Sequence, residues 1–168
     1  MGQYLPAEVQ APPSIMMCCA PDLYSLRNAD VQQEILAKPI FDWEVGRIGA
    51  SGNVIEVGPG EWLLSYHGKQ NQAVGYTQSF MLLADVPNAL PQIRHRCPER
   101  LLVPEADWEQ PGRFESPVIF ITGMAVVDNG ETLLLSYGAA DEKVGVARLD
   151  MRILLARLRK YDARGQHL

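Results

Sequence analysis

The sequence writes one strand twice, and this repeat limits what the chain can fold into more than any other feature. Gly60-Glu61 precedes Leu63-Leu64-Ser65-Tyr66, and Gly130-Glu131 precedes Leu134-Leu135-Ser136-Tyr137. The offset is 70 residues at the glycines and 71 at the tyrosines, so one residue has been inserted. Val74-Gly75-Tyr76 against Val144-Gly145-Val146 extends the match, and IMMCCAPD at 15–22 is a fainter third echo of LLSYGAAD. A fixed period that holds a whole meander is the signature of a propeller blade. The plainer alternative is coincidence, since LLSY carries little information.

The flanking pattern fits antiparallel sheets. Residues 53–57, 62–66 and 74–84 form one set of strand candidates, with the turn VGPGE inside it. Residues 118–127, 132–137 and 144–148 form a second set, with the turn DNGE. Short strands bounded by glycine at such spacing predict an all-β protein. Residues 14–20 read as a buried strand, and 31–37 as a helical turn or a loop ahead of Pro39. The Pro-rich residues 1–13 read as a tail or linker remnant, which leaves 14–168 as a partial β-propeller domain. Asp150 can cap a closing helix through Tyr161, with Met151, Leu154, Leu155 and Leu158 on one face.

Size then becomes a constraint. The 168 residues hold little more than two such units, whereas propellers close with four to eight blades. Two blades would leave sheet edges and an apolar flank open. The expectation is a part of a longer protein, or a chain that closes with a homo-oligomer partner or a complementing half.

Composition narrows the partners. A net charge of −5 disfavours nucleic acid, because phosphate backbones call for a basic face. The basic spots at Arg94 and Arg96, Arg100, and from Arg148 to Arg164 read as solvated surface. No run is long enough to suggest a membrane span. The three cysteines have no metal-ligand spacing; Cys18 and Cys19 read as small core residues. An odd cysteine count favours a reducing, cytoplasmic setting.

Three residues could carry chemistry. His67 and Asp141 end repeat-related strands beside small residues, Gly68 in one case and Gly138-Ala139-Ala140 in the other. In a propeller such strand ends approach one central cavity, so the repeat would supply scaffold and its divergent ends a site. On spacing alone the plainer reading, two turn residues, is the stronger. Arg47, before the Gly-rich turn in GRIGASG, can offer a bidentate fork to an oxyanion. That stretch lacks the context of a P-loop or a dinucleotide fingerprint.

Four phrases in order carry a resemblance: W-E-x-G-R-I-G-A, E-W-L-L-S-Y-H-G, L-L-V-P-E-x-x-W-E-x-P-G and S-Y-G-A-A-D, followed by the closing helix. Together they resemble glycoside hydrolase family 130, the β-mannoside phosphorylases and their relatives. SIMMCCAPDLYSL is similar to a strand of that family carrying a Ser-Asp-Leu, with Pro21 in place of the serine. The resemblance implies a five-bladed β-propeller of which this chain is the C-terminal half, two to three blades with a C-terminal helix. It implies cleavage of a β-mannosidic bond by inorganic phosphate with inversion, giving α-mannose 1-phosphate. Phosphate is then a co-substrate and no cofactor is needed.

Residue by residue, the resemblance places Arg47 where the family usually has a phosphate-contacting lysine, and His67 at a histidine of the same region. Asp141 matches a sugar-binding aspartate, and Tyr66 and Tyr137 become wall residues of the substrate site. The family's general-acid aspartate lies in the half not covered here, so the chain alone is expected to be inactive. The chain departs from the pattern at Arg47, at Pro117 (commonly asparagine) and at Ser51, an apparent extra residue in the I-G-x-G turn. Two other readings stay open: a relative that hydrolyses its mannoside, and a non-catalytic half-propeller that binds a sugar or self-assembles.

Overall fold

Three antiparallel sheets, one short helix and connecting loops make up the computed structural model, which describes residues 13–27, 31 and 33–168. The expected tail lies outside the described residues except for Pro13, whose carbonyl accepts the Ile48 amide. Strands β1 (Ile15–Cys18) and β2 (Gln33–Ala37) form a two-stranded sheet. A four-stranded sheet runs β3 (Arg47–Gly58), β4 (Glu61–Lys69), β5 (Tyr76–Val86), β6 (Ala89–Arg96) in chain order. A three-stranded sheet runs β7 (Ile119–Val127), β8 (Thr132–Ala139), β9 (Lys143–Asp150), and helix α1 (Met151–Leu158) comes directly after it.

Side-chain alternation explains why the four-stranded sheet sits in the middle. On β4 and β5, Leu63, Phe80 and Leu82 face one core, while Leu64, Tyr66, Met81 and Leu83 face the other. Both faces are covered, so the sequence reads as a continuous apolar run rather than as hydrophobic–polar alternation. The first core is shared with β7, β8 and α1, the second with β1 and β2. On β8 only Leu133, Leu135, Tyr137 and Ala139 are buried, every second residue, as expected of a sheet covered on one side. Helix α1 starts where Asp150 accepts from the Arg152 and Ile153 amides, and it buries Met151, Leu154 and Leu158.

Backbone and side-chain hydrogen bonds lock the two larger sheets together. Asn53 crosses to β7, donating to the Met124 carbonyl (3.1 Å) and accepting from its amide (2.7 Å). Gln78 Nε2 donates to the Ile119 carbonyl (2.6 Å), and the Tyr76 amide donates to the Pro117 carbonyl (3.0 Å). Asn53 can reach because β3 bulges between Ser51 and Ile55, with Gly52 at a φ of +57° that favours glycine.

Several expectations are corrected. Residues 33–37 are a strand, not a helical turn or a loop: Gln33–Ala37 pairs with Ile15–Cys18, and this partner is not visible in local sequence. Strand β6 is absent from the sequence-based expectation, since Pro91 interrupts its pattern. Cys18 and Cys19 are exposed rather than core, because only Ile15 of β1 is buried. Arg96 is buried rather than solvated, because Glu44 receives its guanidinium inside the second core. The α-helix stops at Leu158, where the Lys160 amide turns back to Arg157 and the Tyr161 amide to Leu158. The repeat also has a limit: Gly75 lies in the loop before β5, whereas Gly145 lies within β9 opposite Tyr137, so the two V-G phrases are not structurally equivalent.

Candidate functional site

The repeated tyrosines turn out to be structural fasteners. Before each repeated strand a tight turn carries the same triplet, Asp42-Trp43-Glu44 and Asp107-Trp108-Glu109. Glu44 Oε2 accepts from the Ile40 and Phe41 amides, and Oε1 accepts from the Tyr66 hydroxyl at 2.9 Å. Glu109 Oε2 accepts from the Glu105 and Ala106 amides, and Oε1 accepts from the Tyr137 hydroxyl at 2.7 Å. Burial, then the negative charge of Glu44, pushes the Tyr66 phenol above its ordinary range. Burial and the bond to Glu109 do the same for Tyr137. Burial opposes ionisation of Glu109, but the Tyr137 hydroxyl and the two amides outweigh it and hold the carboxyl below its usual range. Neither Tyr66 nor Tyr137 lines the cleft that holds Arg47, His67 and Asp141. The doubled D-W-E was the signal available in the sequence for this.

What the structure does bring together is Arg47, His67 and Asp141. They line one open cleft of about 430 Å³ between the two larger sheets, with Tyr76, Phe114, Val118 and Phe120. Arg47 opens β3 opposite Lys69, the end of β4. Its Nη1 donates to the Tyr76 hydroxyl at 3.1 Å. His67 faces Gly49 across the β3–β4 ladder. A Cβ at Gly49 would sit 2.5 Å from the imidazole Cε1, so glycine there is what lets the ring lie over the strand. In the other sheet the pairing is reversed, with the ring of Phe120 on β7 opposite Gly138 on β8. The two rings meet at 4.7 Å between centroids. Both rings line the same cleft.

Asp141 reaches the cleft on the tight β8–β9 turn. Ala140 and Asp141 both take left-handed backbone, at φ values of +52° and +55°. For alanine that conformation costs about 1 kcal/mol. The Ala140 amide bonds the Val118 carbonyl, and the adjacent Glu142 accepts from the Arg113 amide at 2.6 Å.

The electrostatics suit an anion. Arg47 is exposed and has no carboxylate within ion-pair reach among the described residues. His67 is driven neutral: burial first, then the Arg47 charge, lowers its pKa to about 4. At neutral pH the ring offers a hydrogen bond rather than a charge. Tyr76, Phe114, Val118 and Phe120 carry no signal of this role in the sequence, because a cleft between two sheets shows only once their separation is known.

A family model described as β-1,4-mannooligosaccharide phosphorylase, glycoside hydrolase family 130, matches residues 9–160. The chain belongs to this family. A 1,2-β-oligomannan phosphorylase of Thermoanaerobacter sp. is 32% identical over 137 residues, 79% of this chain and 44% of that protein. A β-1,4-mannooligosaccharide phosphorylase of Ruminococcus albus is 30% identical over 109 residues, 65% of this chain and 32% of that protein. Among solved structures, the β-1,2-mannobiose phosphorylase of Listeria innocua in complex with β-1,2-mannobiose superposes with a TM-score of 0.60 at 26% identity, covering 78% of this chain and 35% of that one. A glycosyl hydrolase of Bacteroides ovatus, 23% identical with a TM-score of 0.56, shares the fold. The chain spans less than half the length of the relatives it matches.

Proposed function

We propose that this chain is the C-terminal part of an inverting β-mannoside phosphorylase and that its cleft holds the phosphate and one face of the sugar. Arg47 and His67 are directed to phosphate and Asp141 to hydroxyls of the mannose. The three sheets are then consecutive parts of a five-bladed propeller whose central cavity includes the cleft. The observation that carries the reading is the convergence of Arg47, His67 and Asp141, drawn from two sheets, on one wall between them.

The chemistry derives from that wall. An inverting phosphorolysis needs phosphate on one face of the anomeric carbon and one carboxylic acid at the leaving oxygen. Phosphate is itself the nucleophile, so the protein must hold its charge without quenching it. An arginine fork and a neutral imidazole N–H together do this, the first by charge and the second by direction. Arg47 is held by Tyr76, which fixes where the fork points. Asp141, as a carboxylate, accepts hydrogen bonds from sugar hydroxyls. The general acid belongs to the stretch of the longer relatives that this chain does not cover. The setting is a reducing cytoplasm, in keeping with three free cysteines.

The test is phosphate-dependent release of α-mannose 1-phosphate from β-mannooligosaccharides. The chain alone is expected to release none, and the chain joined to any segment encoded in frame ahead of Met1 is expected to release it. Release by the chain alone would overturn the location of the acid. Mannose release by the joined protein at an unchanged rate without phosphate would make the enzyme a hydrolase instead.

A further inference from the structure

Ser51 looks like a surplus residue in its turn, yet the structure gives it work next to His67. It lies at the start of the β3 bulge, is 2% exposed, and its Oγ is 3.1 Å from His67 Nδ1. Its carbonyl is tied down by the Ser65 hydroxyl at 2.5 Å. We infer that Ser51 is a positioning residue that donates to Nδ1 of His67 and so keeps the ring proton on Nε2, the nitrogen left to meet an anion in the cleft. The inference rests on the proposal that the cleft binds phosphate.

Proton counting decides the direction of the bond. A buried hydroxyl has one proton to place, and a neutral imidazole has one donor and one acceptor nitrogen. If Nδ1 carried the proton, the Ser51 hydroxyl would accept it, and its own hydrogen would have no acceptor among the described residues. If Ser51 donates, the hydroxyl proton and the Nδ1 lone pair are both satisfied, and only the Nε2 proton is left to be met from the cleft. Nε2 has no hydrogen-bond partner among the described residues, and its ring lines the cleft beside Arg47. The ring cannot turn freely, since Gly49 lies beneath it and Phe120 and Tyr76 flank it at 4.7 and 5.6 Å between centroids. The ring must be neutral for this count to hold, and burial together with Arg47 makes it so, with a pKa of about 4. A neutral Nε2–H beside a guanidinium gives directional recognition of a phosphate oxygen. The opposite tautomer would aim a lone pair at the same oxygen and repel it.

Long-range proton–nitrogen NMR of the nitrogen-labelled 168-residue chain at neutral pH reads the tautomer directly. The expected spectrum has a pyridine-type Nδ1 and a pyrrole-type Nε2 at His67. Ser51→Thr should preserve it. Ser51→Ala should populate both tautomers and weaken binding of inorganic phosphate by about threefold to tenfold, the worth of one ordinary hydrogen bond. A proton on Nδ1 in the unsubstituted chain, or a Ser51→Ala spectrum identical to it, would overturn the inference. If Ser51→Ala does not fold, the unsubstituted and Ser51→Thr spectra decide. If the tautomer depends on Ser51 while added phosphate leaves the cleft resonances unmoved, the positioning stands and the phosphate assignment falls.

Discussion

The four-stranded and three-stranded sheets begin from the same sequence phrase and finish differently. In both, a D-W-E turn sends a glutamate to receive a tyrosine hydroxyl from the repeated strand. In the four-stranded sheet, Arg96 from the last strand adds a guanidinium: its Nη2 donates to Glu44 at 2.8 Å, its Nη1 donates to the Lys38 carbonyl at 3.0 Å, and it stacks on Phe41 and Tyr66. The three-stranded sheet has no fourth strand, and Glu109 has no cation in ion-pair reach among the described residues. Trp43 is buried and donates to the Pro98 carbonyl, whereas Trp108 is 50% exposed. The same local device thus serves a sheet covered on both faces and a sheet covered on one. The residue after each tyrosine differs too: His67 enters the cleft, whereas its counterpart Gly138 has no side chain and pairs with Phe120, whose ring lines the same cleft.

The most damaging way to probe this comparison is to remove each glutamate. Glu44→Ala strands Arg96 as a buried unpaired charge and should lower stability by about 3–5 kcal/mol. Glu109→Ala removes three hydrogen bonds but leaves no cation behind, and should lose less, about 2–3 kcal/mol. Denaturant unfolding of the two variants checks the ranking, and equal losses would mean that Arg96 adds nothing. Acid should act next, and through the cleft. His67 binds its proton less readily folded than unfolded, so its contribution is fully present above the ordinary imidazole value of about 6.5. It is lost as the pH falls through about 4, by about 3 kcal/mol in all. His67→Gln should flatten that part of the stability–pH curve, whereas Glu109→Ala should leave it.

Smaller effects concern the hydroxyls and the turn. Tyr66→Phe and Tyr137→Phe each remove one bond to a carboxylate and should lose about 1–2 kcal/mol by the same unfolding measurement. Tyr66→Phe, in the fully enclosed network, should lose the more. Ala140→Gly relieves left-handed strain at the turn before Asp141 and should gain up to about 1 kcal/mol in thermal unfolding. A loss there would show that the alanine methyl packs better than its backbone suffers.

Much of this was legible in the sequence, for identifiable reasons. Period-2 burial on β8, the left-handed turn at Asp128, Asn129 and Gly130, and the Asp150 cap are local devices, and local patterns find them. Arg47, His67 and Asp141 were legible through the family phrases, and the structure brings all three to one cleft. Other features depend on partners distant in the chain. Strand β2 exists because β1 pairs with it, and Arg96 reads as a surface charge until Glu44, 52 residues earlier, is known to meet it. The bonds of Tyr66 and Tyr137 to Glu44 and Glu109 are not legible in the sequence, because a buried hydroxyl and a binding hydroxyl look alike in it. Ser51 reads as an irregularity because its partner, His67, lies across a strand pair.

The measurement that bears most directly on the central claim is a titration of the labelled chain with inorganic phosphate, monitored at Arg47, His67, Tyr76 and Phe120 and repeated with Arg47→Ala. Saturable shifts confined to these residues, and lost in the variant, are the predicted result. Shifts that survive Arg47→Ala, or that centre instead on the cleft between Arg100 and Arg157, would contradict a phosphate site built on Arg47 and His67.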